Sequence, residues 1–134
     1  MNCPYCKGQT SVTNSRLRAK GSQVWRRRKC KACKNIWTTH EVIDLATSHN
    51  VTYPEQASQP FSRDILFMSI KDSLSHRKTA LADATALTDT VLAQVLAKKS
   101  ASIESSALKI IVHQVLKKFD PTAAAVYKAT HNAR

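Results

Sequence analysis

The sequence predicts an α+β protein in two parts: a small ribbon of three short antiparallel strands, then a mainly helical region of four helices. Three observations predict it. All four cysteines, both tryptophans and the densest basic charge lie before residue 38. Residues 46–60 are polar and broken by Pro54 and Pro60, which reads as a linker with a short strand at Asn50–Tyr53. From Phe61 onward apolar residues recur three or four apart, the period of one helix face. The domains are accordingly placed at 1–45 and 46–134.

The ribbon is justified by its cysteines. Cys3-Pro4-Tyr5-Cys6 and Cys30-Lys31-Ala32-Cys33 are two Cys-x-x-Cys pairs with 23 residues between them. Two residues between ligands let the chain turn tightly enough for both sulfurs to face one ion, and two such knuckles complete a tetrahedron. The intervening stretch reads as a hairpin of Ser11–Asn14 and Gln23–Arg28 with a turn near Lys20-Gly21-Ser22, and Ile36–Thr39 supplies a third strand. Four thiolates with no open position favour one structural Zn2+ per chain on Cys3, Cys6, Cys30 and Cys33, with iron in a rubredoxin-like site as competitor. A redox pair would need one Cys-x-x-Cys and a βαβ setting, and two disulfides would need export.

The chain opens Met1-Asn2-Cys3-Pro4 without the apolar stretch of a secretory signal. No apolar run approaches the roughly 18 to 20 residues that cross a bilayer. A cytoplasmic protein with no membrane partner is expected. A unit of about 44 residues buries too little to fold alone, so the metal must supply folding free energy on the order of 10 kcal/mol.

Charge points to the partner. The formal net charge is +12, and residues 1–44 hold ten Lys and Arg against two acids, leaving +8 there. Residues 45–134 hold eleven against seven. A field so concentrated attracts a polyanion. Trp25-Arg26-Arg27-Arg28-Lys29 is the densest run. In a strand, Arg26 and Arg28 project from one face and Arg27 from the other. Arg16 and Arg18 lie two apart on the neighbouring strand, and with Arg26 and Arg28 they are expected to form one patch. Ser15, Thr38 and Thr39 add hydroxyls for phosphate. Trp25 and Trp37 are expected in the core. Aromatics make up only 6% of the chain, which favours duplex DNA over single strands.

The helices follow in order. Ser62 caps a first helix with Ile65, Leu66, Ile70 and Leu74 inward. A second spans roughly Thr85–Lys98 around Leu87, Val91, Leu92, Val95 and Leu96. Ser105 caps a third with Leu108, Ile111, Val112, Val115 and Leu116 as its stripe. Asp120-Pro121 opens a fourth. Phe67, Met68 and Ile110 widen the apolar faces beyond what four short helices bury, so at least a homodimer is expected.

These elements carry a resemblance. Cys3-Pro4-Tyr5-Cys6, Asn14-Ser15-Arg16, Arg26-Arg27-Arg28-Lys29-Cys30, Cys33 and Trp37-Thr38-Thr39-His40-Glu41 resemble the NrdR family pattern of C-P-x-C, D-S-R, R-R-R-x-C-x-x-C and F-T-T-x-E. Asn14 replaces the usual acid and Trp37 the usual Phe. Pro60-Phe61-Ser62-Arg63 is similar to the P-F-D-R that starts the first helix of the family's ATP-cone. The resemblance implies a repressor of ribonucleotide reductase genes with an N-terminal zinc ribbon, a C-terminal ATP-cone, and an oligomeric form set by ATP and dATP. It carries DNA contact onto Arg16, Arg26, Arg27 and Arg28. Nucleotide-binding residues do not carry over. Where the family has V-x-K-R-D-G, this chain has Val51-Thr52-Tyr53-Pro54-Glu55-Gln56, with no Lys, Arg or Gly. Phosphates need cations or free amides, so weak or absent ATP and dATP binding is expected, unless Arg63, Arg77 or Lys78 takes over.

An RNA-binding or ribosome-associated zinc-ribbon protein is the alternative. The modest charge of residues 45–134 argues against it. Phage late-gene activators have a similar finger, but with a wider second cysteine pair. No catalytic triad, paired carboxylates or clustered histidines suggest an enzyme.

Overall fold

The computed structural model describes residues 1–18 and 22–131. Lys20 and Gly21 of the expected turn lie outside them. The chain divides into two compact units, Met1–Asp44 and Leu45–Arg134.

The first unit is a three-stranded antiparallel sheet of β1 (Thr10–Arg18), β2 (Gln23–Cys30) and β3 (Ile36–Glu41), with β2 in the middle. The strands are longer than their sequence signals because the ladder continues through polar residues once register is set. Each cysteine pair lies on a tight turn, closed by Cys3 N–H to the Gly8 carbonyl at 2.9 Å and Cys30 N–H to the Asn35 carbonyl at 3.0 Å. Lys7 and Lys34, each one residue past the second cysteine of its knuckle, are left-handed, with φ of 61° and 62°. Gly8 matters for closure. A Cβ there would stand 3.3 Å from the Ala32 Cβ and 3.3 Å from the Cys6 sulfur, tighter than most side-chain contacts. The interior is minimal: Cys3 and Cys30 are buried, whereas Trp25 and Trp37 are half-exposed, contrary to the expectation of a tryptophan core. So few residues cannot enclose a ring.

The second unit contains α1 (Leu45–Ser48), β4 (Asn50–Tyr53), β5 (Gln56–Pro60), α2 (Arg63–Ser73), α3 (Ala80–Ala97), β6 (Ser102–Glu104), α4 (Ser105–Phe119) and α5 (Pro121–His131). The four expected helices are α2, α3, α4 and α5. The expected linker is instead folded. Its residues form α1 and a β4–β5 hairpin, and β4 also pairs in parallel with β6, Val51 opposite Ile103. Pro54 sits in the turn and Pro60 ends an outer strand, positions where a missing N–H costs little.

The core gathers Phe61, Ile70, Leu74, Val91, Val95, Val112, Leu116 and Tyr127 around these elements. Ser62 caps α2, its Oγ accepting from the Ile65 N–H at 3.2 Å. Asp120 caps α5, accepting from the Thr122 and Ala123 N–H groups at 2.9 and 3.2 Å. Ser105 is not a cap: Glu104 holds that position without a side-chain bond. Helix α3 starts at Ala80 because Asp83 anchors its first turn, accepting from Arg77 Nε at 2.8 Å and Thr79 Oγ1 at 2.6 Å. Ile65 is 71% exposed, since the narrow buried stripe of α2 runs through Leu66 and Ile70. Phe67 packs on the core, while Met68 and Ile110 stay exposed. The hydroxyl of Thr88, in the middle of α3, is buried without a partner.

By length and composition α3 is apolar enough to cross a bilayer, which corrects the expectation that no stretch approaches that length. Asp83 and Asp89 interrupt it, and Leu87, Val91 and Val95 are spent on the core. It is a core helix.

Candidate metal centre and nucleic-acid interface

The two knuckles bring Cys3, Cys6, Cys30 and Cys33 together, with all four sulfurs within 4.8 Å of one another. Cys3 and Cys33 sulfurs are 3.6 Å apart, and those of Cys6 and Cys30 are 3.5 Å apart. A zinc ion with sulfur at about 2.3 Å requires tetrahedral edges of about 3.8 Å, so the cluster fits Zn2+. Donors suited to thiolates surround it. Cys33 N–H reaches the Cys30 sulfur at 3.4 Å, and Asn35 Nδ2 reaches the Cys33 sulfur at 3.5 Å. Burial pushes the Cys30 thiol up, but the amides of Cys33 and Ala32 and two neighbouring sulfurs overcome it and bring it to about 6. The centre is closed by four protein ligands, the signature of a structural rather than a catalytic zinc site.

Register decides what the sheet presents. Directly paired residues on neighbouring strands project to the same side, and successive residues alternate. Arg27 pairs with Asn14 on β1 and Thr38 on β3, while Trp25 pairs with Arg16 and His40. Arg26 pairs with Ser15 and Thr39, and Arg28 with Val12 and Trp37. The expected patch of Arg16, Arg18, Arg26 and Arg28 is therefore split. Arg16 and Arg18 share a face with Arg27 and Lys29, and Arg26 and Arg28 occupy the opposite face. The sequence pattern alone could not place β1 against β2, because a one-residue slip exchanges the faces. A bulge at Thr13 sets the slip here.

The two faces differ in what their side chains already hold. On one, Arg26 Nη2 binds Glu41 Oε2 at 3.3 Å, Arg28 Nε donates to Thr39 Oγ1 at 3.0 Å, and Trp37 meets Tyr5 edge-on at 6.3 Å. Arg26, Arg28 and Thr39 are half-buried there, and Ser15 is exposed. On the other, Arg16, Arg18, Arg27, Lys29, Thr38 and His40 are all exposed. Arg18 lies over Trp25 at 5.9 Å. Among the described residues, the remaining cations of this face have no anionic partner. Lys29 and His40 were absent from the sequence-based set; their register with Ser11 and Trp25 places them here.

In the second unit, Val51–Gln56 is the β4–β5 hairpin, with Pro54 and Glu55 at its tip. A cavity of about 160 Å³ beside it is lined by Val51, Tyr53, Phe61, Leu66, Leu108, Lys109, Tyr127 and His131 among others. Among the described residues Lys109 is its one Lys or Arg, and that ammonium donates to the His131 carbonyl at 3.1 Å. His131 stacks on Tyr127 at 4.1 Å and bonds Ser69 Oγ at 2.8 Å. Arg63 and Arg77 are held by Asp89 and by Asp83 with Asp120.

Residues 1–41 match the family model described as the N-terminal domain of NrdR-like transcriptional repressors. The transcriptional repressor NrdR of Psychrobacter arcticus is 32% identical over 133 residues, covering 96% of this chain and 87% of that protein. With the four-cysteine ribbon in place and a relative aligned along nearly the whole chain, the protein belongs to the NrdR family of transcriptional repressors.

Proposed function

We propose that this protein is a zinc-dependent repressor that binds duplex DNA through the exposed face of its ribbon. The observation that carries the reading is the segregation of charge between the two faces. Arg26 and Arg28 are engaged by Glu41 and Thr39, whereas Arg16, Arg18, Arg27 and Lys29 project into solvent. Free guanidiniums and ammonium groups are what a phosphate backbone recruits, and Thr38 adds a hydroxyl beside them. In this reading Arg26, Arg28 and Thr39 brace the sheet, and Ser15 lies on that bracing face. Zn2+ on Cys3, Cys6, Cys30 and Cys33 holds the knuckles that fix β2. A regulator of this kind works where a bacterial chromosome lies, in the cytoplasm, and needs no catalytic group.

Exposed Ile65, Met68 and Ile110 support self-association through the helical unit, and a dimer would place two ribbons on repeated half-sites. The lack of Lys, Arg and Gly in Val51–Gln56 and the single lysine among the described lining residues beside it support a regulator whose helical unit assembles without tight ATP or dATP binding. Calorimetry should show no low-micromolar heat with either nucleotide, and such a heat would reject that part.

Fluorescence anisotropy of a labelled duplex tests the DNA reading with full-length protein. The zinc-loaded form should bind with steep salt dependence, chelator-treated protein should not, and Lys98→Ala/Lys99→Ala should change little. Equal binding with and without zinc would reject it.

A further inference from the structure

Asn14 stands where two features of the ribbon coincide. The register of β1 slips between Val12 and Asn14, leaving Thr13 as a bulge. Thr13 Oγ1 pins the bulge by donating to the Arg27 carbonyl at 3.2 Å. Bulges re-aim the side chains beside them. The residue re-aimed is Asn14, which lies directly across from Arg27 on the exposed basic face. Among the described residues, neither the Asn14 amide nor the Arg27 guanidinium has a side-chain partner.

Directly opposed side chains in an antiparallel pair leave the sheet about 5 Å apart. Base pairs stack about 3.4 Å apart, so the two groups span neighbouring steps. An Asn amide forms a bidentate pair with adenine N6 and N7, and a guanidinium does so with guanine O6 and N7. We propose that Asn14 and Arg27 are the base-reading pair of the ribbon, selecting an adenine next to a guanine in the major groove. This deepens the proposed function and rests on its claim that the exposed face meets duplex DNA. Arg16 and Lys29 flank the pair and hold phosphates. The amide at position 14 is decisive. A carboxylate there would only accept, and it would form an ion pair with the opposing Arg27 and draw it away from guanine.

Selection from a randomised duplex library with full-length, zinc-loaded protein tests the pair. The wild-type motif should contain adjacent adenine and guanine. Asn14→Ala should lose discrimination at the adenine by about tenfold while keeping the guanine, and should leave the salt dependence unchanged because no charge is removed. Arg27→Lys should keep the salt dependence and weaken the guanine preference, because an ammonium lacks the planar fork of a guanidinium. Equal zinc content in each variant shows that the ribbon is intact. A wild-type motif without that step, or an Asn14→Ala motif identical to wild type, overturns the proposal. Duplex binding unaffected by Arg16→Ala/Lys29→Ala would instead reject the exposed face itself, and the pair with it.

Discussion

The two units reach stability by opposite routes. Among the described residues of the ribbon only Cys3 and Cys30 are buried apolar residues, so its interior is essentially the four-cysteine centre. The helical unit buries a continuous apolar cluster from Leu45 to Tyr127. One fold is held at a point, and one face of its sheet stays exposed through Arg16, Arg18, Arg27, Lys29, Thr38 and His40. The other is held by packing, and leaves Ile65, Met68 and Ile110 exposed on its surface. This division explains why so basic a chain concentrates its charge where the core is thinnest.

The largest effect should come from the point attachment. Cys30→Ser, or removal of zinc by a chelator, should unfold the ribbon outright, because the metal supplies folding free energy on the order of 10 kcal/mol. Circular dichroism should then retain the helical signal, and a simultaneous loss of helix would break the comparison. Leu116→Ala should do the reverse. Leu116 is fully buried, so the helical unit should lose about 2–5 kcal/mol while zinc content stays at one per chain.

A smaller effect should depend on acid. The Asp120 carboxyl is held at about 2 by the His76 side chain first, then by the Ala123 amide, with Arg77 and the Thr122 amide adding to this against the opposing effect of burial. Asp83 is lowered as well, chiefly by Thr79 and Arg77. An unfolded Asp titrates near about 3.9. The folded value lies below the unfolded one, so this stabilisation is complete above about pH 4 and is lost as the pH falls toward 2. Urea midpoints of the helical unit should drop across that window, and Asp120→Asn should flatten the drop. The smallest effect is at Thr88. Thr88→Val removes a buried hydroxyl without a partner and should stabilise the helical unit by roughly 1 kcal/mol, measured as a raised Tm.

Much of this was legible in the residues. Cysteine spacing gave the knuckles because metal geometry is local. Ser62 and Asp120-Pro121 marked helix starts because caps act within three residues. What stayed hidden depends on distant partners. The β4–β6 pairing needs Ser102–Glu104, brought back from beyond α2 and α3. Helix α3 gains its first turn from Asp83 held by Arg77, an interaction no hydrophobic period reports. The division of arginines between faces hinges on one bulge at Thr13, and nothing in the alternation of β1 or β2 alone announces it.

The exposed basic face is the central claim, and salt dependence tests it most directly. Arg16→Ala/Lys29→Ala and Arg26→Ala/Arg28→Ala each remove two positive charges, from opposite faces of the same sheet. With full-length protein, zinc content checked in both, the log–log slope of duplex affinity against salt should fall by about 1.8 for the first pair, two phosphate contacts at about 0.9 each. It should stay unchanged for the second. Equal losses of slope, or a larger loss from Arg26 and Arg28, would contradict the assignment of the face.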